Sequence, residues 1–423
     1  MDYRPWTITS FNFQLLFHHR YRANALKFEL SPSVDYYWFV YWRTMMFLQK
    51  KAMASIIDHF SSLPDPRTKE HKKEHKLIDI LFITIAAVIC GAEDWNDIEF
   101  YGKEKEGWLK TVLELPGGIP SHDTFNRVFS LIDPVALQNC FISWVQSVAQ
   151  ISEGQIISID GKRMCNSGEG GKRAVIHMVS AWSNDNGMVL GQIKVNDKSN
   201  EITAIPTLLD LLMVKGCWIT IDAMGCQKDI AAKIKSKGAE YILAVKDNQG
   251  HLHDDIRDAF EHGIAEQEHV QVSLGHGRIE KRTCRIITAT EWVCKCEDWQ
   301  GLRTLIEVKS ERTIKATGAK ETQARHYIGS ALSTAKRFNE AIRGHWGIEN
   351  NLHWQLDVTF NEDNSMKRAG NAAENFSVIT KIALTAVKQS ELKKGVTRLS
   401  MKSKRKKAGW NNDYLAQILA NAH

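Results

Sequence analysis

Three acidic residues stand where one divalent-metal site could be assembled. Asp160 follows the apolar run at residues 156–159, and Asp222 follows a second apolar run at 218–221. Glu349 lies far downstream, in a stretch with a helical pattern. Carboxylate oxygens are the ligands that hard divalent cations prefer, and a pair of such cations supports in-line phosphoryl transfer on nucleic acid. The three residues therefore predict a catalytic centre that holds two Mg²⁺ ions, with Mn²⁺ as an alternative.

A single aspartate after an apolar run is often only a turn or cap residue. Here the turn at 159–162 and the turn at 221–225 both place a carboxylate directly after a strand-like run. Two carboxylates that leave equivalent strand ends can meet at one edge of a sheet. Their joint occurrence favours a shared site over two unrelated turns.

The helical stretch around Glu349 carries further polar side chains. Arg343 shares a face with Glu349, so it could bind a DNA phosphate beside the metals; the alternative is an ordinary surface cation. His353 and Asp357 lie along the same helix, either as part of the site or as buried structural groups. A rival zinc site would use His345, Glu349 and His353, spaced four residues apart, but it leaves both aspartates unexplained.

A further strand-like run ends near Lys246, at the edge of the sheet where the aspartates are expected. Lys246, Asn248 and Gln249 are therefore candidates to contact the DNA backbone or to orient the catalytic acids. A polar turn without such a role is the alternative.

The elements that must position these residues follow from the hydrophobic periodicity. Three strands, a helix, a strand, a helix, a strand and a helix succeed one another, at about 156–160, 174–182, 188–195, 201–213, 217–222, 226–237, 241–246 and 251–262. This order matches a ribonuclease-H-like layout, in which the first and fourth strands are neighbours at the centre of the sheet. Asp160 and Asp222 would then lie side by side.

Additional strand patterns separate this core from the helix that carries Glu349. They occupy about 268–330, and a helical pattern follows at 333–358. We therefore expect an α/β fold, namely an RNase-H-like catalytic core at 151–390 with a β-strand insertion. A small all-helical domain at 53–150, which includes a buried helix at 77–90, precedes it. Residues 1–52 form an extension, and residues 391–423 form a basic C-terminal tail.

Composition is that of an ordinary soluble globular protein. The chain has 423 residues, 43% of them hydrophobic and 25% charged, with a net charge of +6. The mild basic excess is compatible with a nucleic-acid partner. Eight scattered cysteines lack a disulfide framework, and the apolar segment at 77–90 is too short to span a bilayer. We expect a reduced, cytoplasmic protein without a membrane partner. The basic cluster at 402–407 is either a phosphate-binding arm or a solvated charge run.

Several long motifs resemble the DDE transposases of bacterial insertion sequences, in the H-repeat-associated branch linked to Rhs elements. From about residue 53 to 388, the resemblance rests on LPDPR at 63–67, GIPSHDTF at 118–125, IDGK at 159–162, TIDAMGCQ at 220–227, RGHWGIEN at 343–350 and LDV at 356–358. Related transposases often carry a Tyr, Arg, Glu, Lys signature. Here Arg343 and Glu349 are recognisable, whereas Leu356 stands near the expected lysine, and Lys367 or Arg368 are candidate substitutes.

The resemblance implies a bacterial, nucleoid-associated enzyme that cleaves and transfers DNA strands. Asp160, Asp222 and Glu349 would be the catalytic and metal-binding residues. Its partners would be the terminal repeats of the element and the target DNA, with a homo-oligomer during synapsis. The candidates for DNA contact are Arg343, Lys246, His122, Arg127 and Lys162.

Two of these candidates belong to a possible DNA-reading helix. Ser121 is a suitable N-cap, and His122, Asn126 and Arg127 follow it in a helical pattern. We expect the helical domain to bind element ends; a packing or dimerisation role is the alternative.

Two other functions remain open from the sequence. One is a DNA-binding derivative of a transposase that has lost catalysis, and the other is a structure-specific nuclease on the same fold. The retention of all three carboxylates disfavours the first. The motifs begin just after Met53, so we expect residues 1–52 to be dispensable for folding and activity.

Overall fold

The computed structural model describes residues 56–68, 73–164, 176–195, 200–275, 277–288, 290–390 and 399–420. All of them belong to one compact unit. The predicted extension at 1–52 lies outside the described residues, and so do Lys393, Lys394 and Arg398 of the basic tail.

Residues 56–60 are helical, and five further helices among the described residues precede the sheet. The ends of these five helices follow local capping chemistry. The first ends at Gly91, whose φ of 116° suits a residue without a side chain. Ser121 accepts a hydrogen bond from the Thr124 amide, as the predicted N-cap requires. The helices are α1 Leu77–Cys90, α2 Trp95–Glu104, α3 Glu106–Leu109, α4 His122–Leu131 and α5 Pro134–Val148.

No single helix among the described residues is long and apolar enough to cross a membrane. Only α4 and α5 taken together, across a bend of 93°, have the necessary length and composition.

The sheet begins with the strand order that the sequence predicts. Its first half is β1 Ile156–Met164, β2 Ile176–Ser183, β3 Met188–Val195, α6 Glu201–Leu211, β4 Trp218–Ile221, α7 Lys228–Ser236, β5 Glu240–Val245 and α8 Gly250–His262. β1 pairs with β2 in antiparallel fashion and with β4 in parallel fashion, and Ile159 lies opposite Ile221. β5 runs parallel to β4. The RNase-H-like prediction, with the first and fourth strands adjacent, is confirmed.

The β-strand insertion continues the central sheet. It comprises β6 Gln267–Gly275, β7 Arg278–Ile287, β8 Thr304–Ile314 and β9 Lys320–Gly329. β9 pairs with β5, giving a nine-stranded sheet in the order β3-β2-β1-β4-β5-β9-β8-β7-β6. The last insertion strand thus covers the edge that β5 would otherwise expose.

The helix that carries Glu349 is interrupted, in contrast to the continuous helix expected at 333–358. α9 spans Ala335–Ile348, a π-helical turn spans Glu349–His353, and α10 spans Trp354–Val358. A π turn accommodates one extra residue in a helix and often occurs at functional sites. Glu349 is its first residue.

The C-terminal part of the chain joins the N-terminal helices. α11, Ala372–Gln389, contacts α1, α4 and α5. The Trp95 ring meets the Phe129 ring at 5.3 Å between centroids and the Phe376 ring at 5.4 Å, and the Asn375 amide donates to the Phe129 carbonyl oxygen at 2.8 Å. The helical region and the sheet region therefore share one apolar core.

The basic C-terminal segment forms two helices and is therefore not an extended arm. It forms α12 Met401–Trp410 and α13 Asn412–Ala420. Arg405 is buried and donates hydrogen bonds to the carbonyl oxygens of Thr359 and Val88. Arg405, a member of the basic cluster at 402–407, is therefore a buried and hydrogen-bonded residue and not part of a solvated charge run.

Candidate active site

Asp160 lies inside β1, which continues to Met164 instead of turning at 159–162 as predicted, and Asp222 directly follows β4. The pairing of the two strands ends just before both aspartates. Ile159 and Ile221 are opposite each other in the parallel β1–β4 pair, so each aspartate is the next residue of its chain segment. Asp160 Oδ1 accepts the Gly161 amide at 2.9 Å. Asp222 Oδ1 accepts the amides of Met224 at 3.1 Å and Gly225 at 3.3 Å. These local bonds hold both carboxylates at the sheet edge.

The ring of His353 contacts the carboxylates of both Glu349 and Asp160. His353 Nδ1 lies 3.6 Å from Asp160 Oδ2 and 3.5 Å from Glu349 Oε2. The ligand-capable atoms of the three residues all lie within 4.8 Å of one another. Asp222 is not part of this tight group, but it lines the same cavity.

Close packing brings α9, the helix that leads to Glu349, to the sheet. A Cβ atom on Gly347 would lie 2.3 Å from Asn184 Oδ1, so only glycine allows this approach. The Asn184 side-chain amide in turn donates to Ser158 Oγ at 3.3 Å. Thr220 Oγ1 donates to Ser158 Oγ at 3.1 Å and lies 3.0 Å from His345 Nδ1. A polar chain therefore connects β1, β4 and α9 directly beneath the acids.

The three acids face a cavity of about 400 Å³. Lys246, Arg325 and Trp346 are among the side chains that line it. The Arg325 guanidinium lies 5.1 Å from the centre of the Trp346 ring. Cationic groups beside acidic ones suit a phosphodiester that must approach a metal site.

The environments of Asp160 and Glu349 separate their pKa values. Burial, reinforced by the charges of Glu349 and Asp222, raises the pKa of Asp160 to about 8. The hydrogen bond with His353 lowers the pKa of Glu349. Burial lowers the pKa of His345. Carboxylates crowded in this way accept a proton or a cation readily, since either relieves their repulsion.

The donor set fits a hard divalent cation. Asp160, Asp222 and Glu349 supply carboxylate oxygens from three separate chain segments around one cavity. The His353 side chain is only 7% exposed, and its Nε2 atom has no hydrogen-bond partner among the described residues. Imidazole nitrogen is compatible with Mn²⁺, whereas Mg²⁺ favours oxygen.

A fourth acidic side chain, which the sequence pattern did not single out, lies beside Asp160. Glu201 at the start of α6 lies 2.7 Å from His177 Nε2 on β2. A Cβ atom on Gly161 would meet Glu201 Oε1 at 2.2 Å and His177 Nε2 at 2.6 Å. The glycine of the IDGK motif therefore leaves room for this pair. Burial, and then the charge of Asp222, raises the pKa of Glu201.

The candidates for DNA contact occupy different surroundings. Lys246 after β5 is exposed and lines the cavity. Arg343 on α9 is exposed but is not among the residues that line the cavity. Arg127 is exposed on α4. His122 is bound to Glu99, whose Oε2 atom accepts both the His122 backbone amide and its ring at 2.7 Å. The acid beside His122 opposes an approaching phosphate.

Lys162 is placed differently from what a DNA contact requires. Its side chain is only 10% exposed, and its Nζ lies 2.7 Å from Asp357, 3.1 Å from Glu362 and 3.0 Å from Asp363. Three carboxylates already surround the ammonium group, so it is not accessible to a phosphate. We therefore exclude Lys162 from the DNA-contacting surface.

The contacts of the other polar candidates show what each side chain binds. Asn248 donates to the Ala223 carbonyl oxygen at 2.7 Å and Gln249 to that of Cys226 at 2.9 Å, so both tie the strand end to the turn after Asp222. Lys367 is buried 3.8 Å from the centre of the Phe376 ring, away from the cavity. His345 bonds Thr220, and the tight group of possible ligands does not include it.

Family comparisons agree along most of the chain. A family model described as the transposase DDE domain matches residues 151–386, and a model described as DDE_Tnp_1-associated matches residues 57–145. YncI of Escherichia coli O157:H7, which bears a transposase name, is 47% identical over 88% of this chain and 95% of its own length. YhhI of E. coli K12, whose name also includes H repeat-associated, is 42% identical over 88% of this chain and 99% of its own.

One solved structure shows a more remote likeness. It is the piggyBac transposase synaptic complex with hairpin DNA, with a TM-score of 0.40 and 11% sequence identity, covering 89% of this chain and 80% of that one.

Proposed function

The chain belongs to the DDE transposase family, among its H repeat-associated members, and we propose that it cleaves and joins DNA at the ends of an insertion sequence. The observation that carries this proposal is the convergence of three carboxylates. Asp160 and Asp222 directly follow the last paired residues of the adjacent parallel strands β1 and β4, and Glu349 lines the same cavity. The DNA partner follows from the family; the terminal repeats and the target are part of the proposal.

We assign the metal to these three acids. When bound, two divalent ions, Mg²⁺ or Mn²⁺, would activate the attacking oxygen and stabilise the charge on the phosphate and the leaving oxygen. Asp160 is rigid because it extends a central strand. Glu349, whose side chain is 51% exposed, lines the cavity that the DNA would enter. His353 holds the two carboxylates together through its Nδ1 atom.

Cationic side chains around the cavity would bind the phosphate backbone. Lys246 lines the cavity, Arg325 lies over the Trp346 ring, and Arg343 is exposed on α9. Arg127 on α4 is the more remote candidate and would read or grip the element end. We further propose that two copies assemble on two ends during synapsis, since joining requires both ends at one target.

Purified protein incubated with labelled element ends and Mg²⁺ tests the proposal. Wild type should cleave at the terminus, and Asp160→Ala, Asp222→Ala or Glu349→Ala should each reduce cleavage to background. DNA binding should change little, because phosphate contacts dominate affinity.

Asp258→Ala is a matched control for these three variants. Asp258, Glu261 and His262 form an exposed acidic group on α8 that is also compact enough for a metal. This variant should cleave like wild type. Specific end binding without any cleavage by wild type would indicate an inactive DNA-binding derivative. Cleavage regardless of the terminal sequence would indicate a nuclease.

A further inference from the structure

Lys162 lies on the same face of β1 as Asp160. The two residues are two positions apart in the strand, so their side chains point to the same side of the sheet. Opposite them, His353 and Asp357 are four residues apart on the helical segment that follows Glu349. Asp160 Oδ2 lies 3.6 Å from His353 Nδ1, and Lys162 Nζ lies 2.7 Å from Asp357 Oδ1. The strand and the helix are therefore joined by two parallel side-chain contacts.

The spacings of the two elements match. Two residues of a strand advance about 6.6 Å, and four residues of a helix advance about 6 Å. The two contacts also have opposite polarity. The strand supplies the carboxylate in the Asp160–His353 contact and the ammonium group in the Lys162–Asp357 contact. A slip of the helix by one turn would place Asp357 against Asp160 or His353 against Lys162. Like groups would then face each other, so only the observed register satisfies both contacts.

We propose that Lys162 is a positioning residue that, through Asp357, fixes the register between the strand of Asp160 and the helix of Glu349. The inference rests on the proposed function, because this register sets the separation of two metal-binding carboxylates. Lys162 touches neither DNA nor metal. Glu362 and Asp363 hold its ammonium group from the loop beyond α10, at 3.1 Å and 3.0 Å.

The chain offers a matched pair of variants to separate register from simple charge pairing. Asp357 and Asp363 contact the same ammonium at similar distances, and their side chains are 34% and 39% exposed. Asp357 belongs to the helix that continues from Glu349, whereas Asp363 lies in the loop after it. Asp357→Asn should therefore disturb the metal site, and Asp363→Asn should not. Either variant leaves Lys162 with two carboxylates, so folding should persist.

The measurement is the thermal midpoint of the full chain as Mg²⁺ is titrated, which reports metal binding without DNA. Asp357→Asn should weaken the apparent Mg²⁺ affinity by about 10-fold or more, as the loss of an orienting partner does at other metal sites. Asp363→Asn should keep the wild-type affinity. Lys162→Met should behave like Asp357→Asn, and Lys162→Arg should retain most of the affinity. End cleavage at limiting Mg²⁺ should follow the same order.

The other outcomes overturn this inference, the proposed function, or both. Equal effects of Asp357→Asn and Asp363→Asn would mean that only the charge of Lys162 matters. A midpoint lowered by the same amount with and without Mg²⁺ would indicate a purely structural contact. A wild-type protein that binds Mg²⁺ without cleaving DNA would refute the proposed function while leaving the register intact. A wild-type midpoint indifferent to Mg²⁺ would refute both.

Discussion

Asp160 has a carboxyl group whose protonation must change before a cation can bind. Burial, Glu349 and Asp222 together raise its pKa to about 8 from an ordinary value of 3.8. Between these two pH values the folded protein holds a proton that the unfolded chain has released. The contribution of Asp160 to the stability of the metal-free protein therefore falls as pH rises from about 4 to about 8, and it levels off above that range.

Asp160→Asn should remove this pH dependence. The amide resembles the protonated acid in shape and cannot ionise, so the variant should match wild type in thermal midpoint below about pH 4, where the acid is protonated in both states. At pH 8.5 without metal it should be the more stable protein, by a few kcal/mol, since each pKa unit corresponds to about 1.4 kcal/mol. Thermal unfolding in EDTA at several pH values checks this.

The same comparison has a clear contrary result. Parallel pH profiles for wild type and Asp160→Asn would show that the carboxyl is not perturbed in the folded state. Asp123→Asn is a suitable control, because Asp123 on α4 has a side chain that is 87% exposed. It should leave the pH profile unchanged.

The candidate acids were accessible to prediction because each follows a recognisable apolar run or helical motif. Their partners were not. Nothing in the sequence near Lys162 indicates that Asp357, Glu362 and Asp363 surround it, since these contacts join residues about two hundred positions apart. Glu201 and His177 were missed for the same reason. The only local sign of this pair is Gly161, because a side chain at that position would collide with Glu201 and His177.

At the level of elements, periodicity predicted most helices and strands to within a few residues. It did not predict the π turn at Glu349–His353, because one additional residue in a helix has no compositional signature. It also did not predict α12. Lys404 and Arg405 are buried there, and buried cations contradict the apolar pattern by which inward faces are identified.

Arg405 should be a stabilising residue of α12. Its guanidinium donates to two backbone carbonyl oxygens and lies 4.2 Å from the centre of the Phe360 ring. Arg405→Ala leaves both carbonyl groups without this donor and removes the ring contact. We expect a loss of about 2–4 kcal/mol in the free energy of unfolding. Urea denaturation followed by circular dichroism measures it.

Lys406 provides the control on the same helix, because it is exposed. Lys406→Ala should change the free energy of unfolding by less than about 0.5 kcal/mol. If the two variants were equally stable, the basic segment would be a solvated charge run after all. DNA affinity measured for both would then show whether it acts as a phosphate-binding arm.

At the scale of the whole molecule, the helical and sheet regions are not independent. Fifteen of the 18 residues of α11 are buried, and they cover the apolar faces of α1, α4 and α5. The sequence indicated two adjoining domains because the periodicity changes near residue 155. The sequence could not show that α11, which begins more than two hundred residues after α5, completes the core of the helical domain.

A fragment of residues 53–150 should therefore not fold on its own. Without α11, its apolar helix faces would be exposed to water, and the cost of ordering the chain would exceed the remaining burial. We expect weak helicity by circular dichroism and no cooperative unfolding transition. The full chain should unfold in one transition. A fragment that melts cooperatively would instead establish an independent helical domain.

The late position of α11 has a consequence for synthesis on the ribosome. Chains emerge from the N-terminus at about 5–20 residues per second, so α5 and the end of α11 are separated by on the order of 10 to 50 seconds. Throughout that interval α1, α4 and α5 lack the helix that covers them. Glu349 also arrives long after Asp160 and Asp222, so a nascent chain has no complete set of acids. The proposed cleavage of DNA would thereby be delayed until the chain is nearly finished, and the apolar faces of these helices stay exposed to water until then.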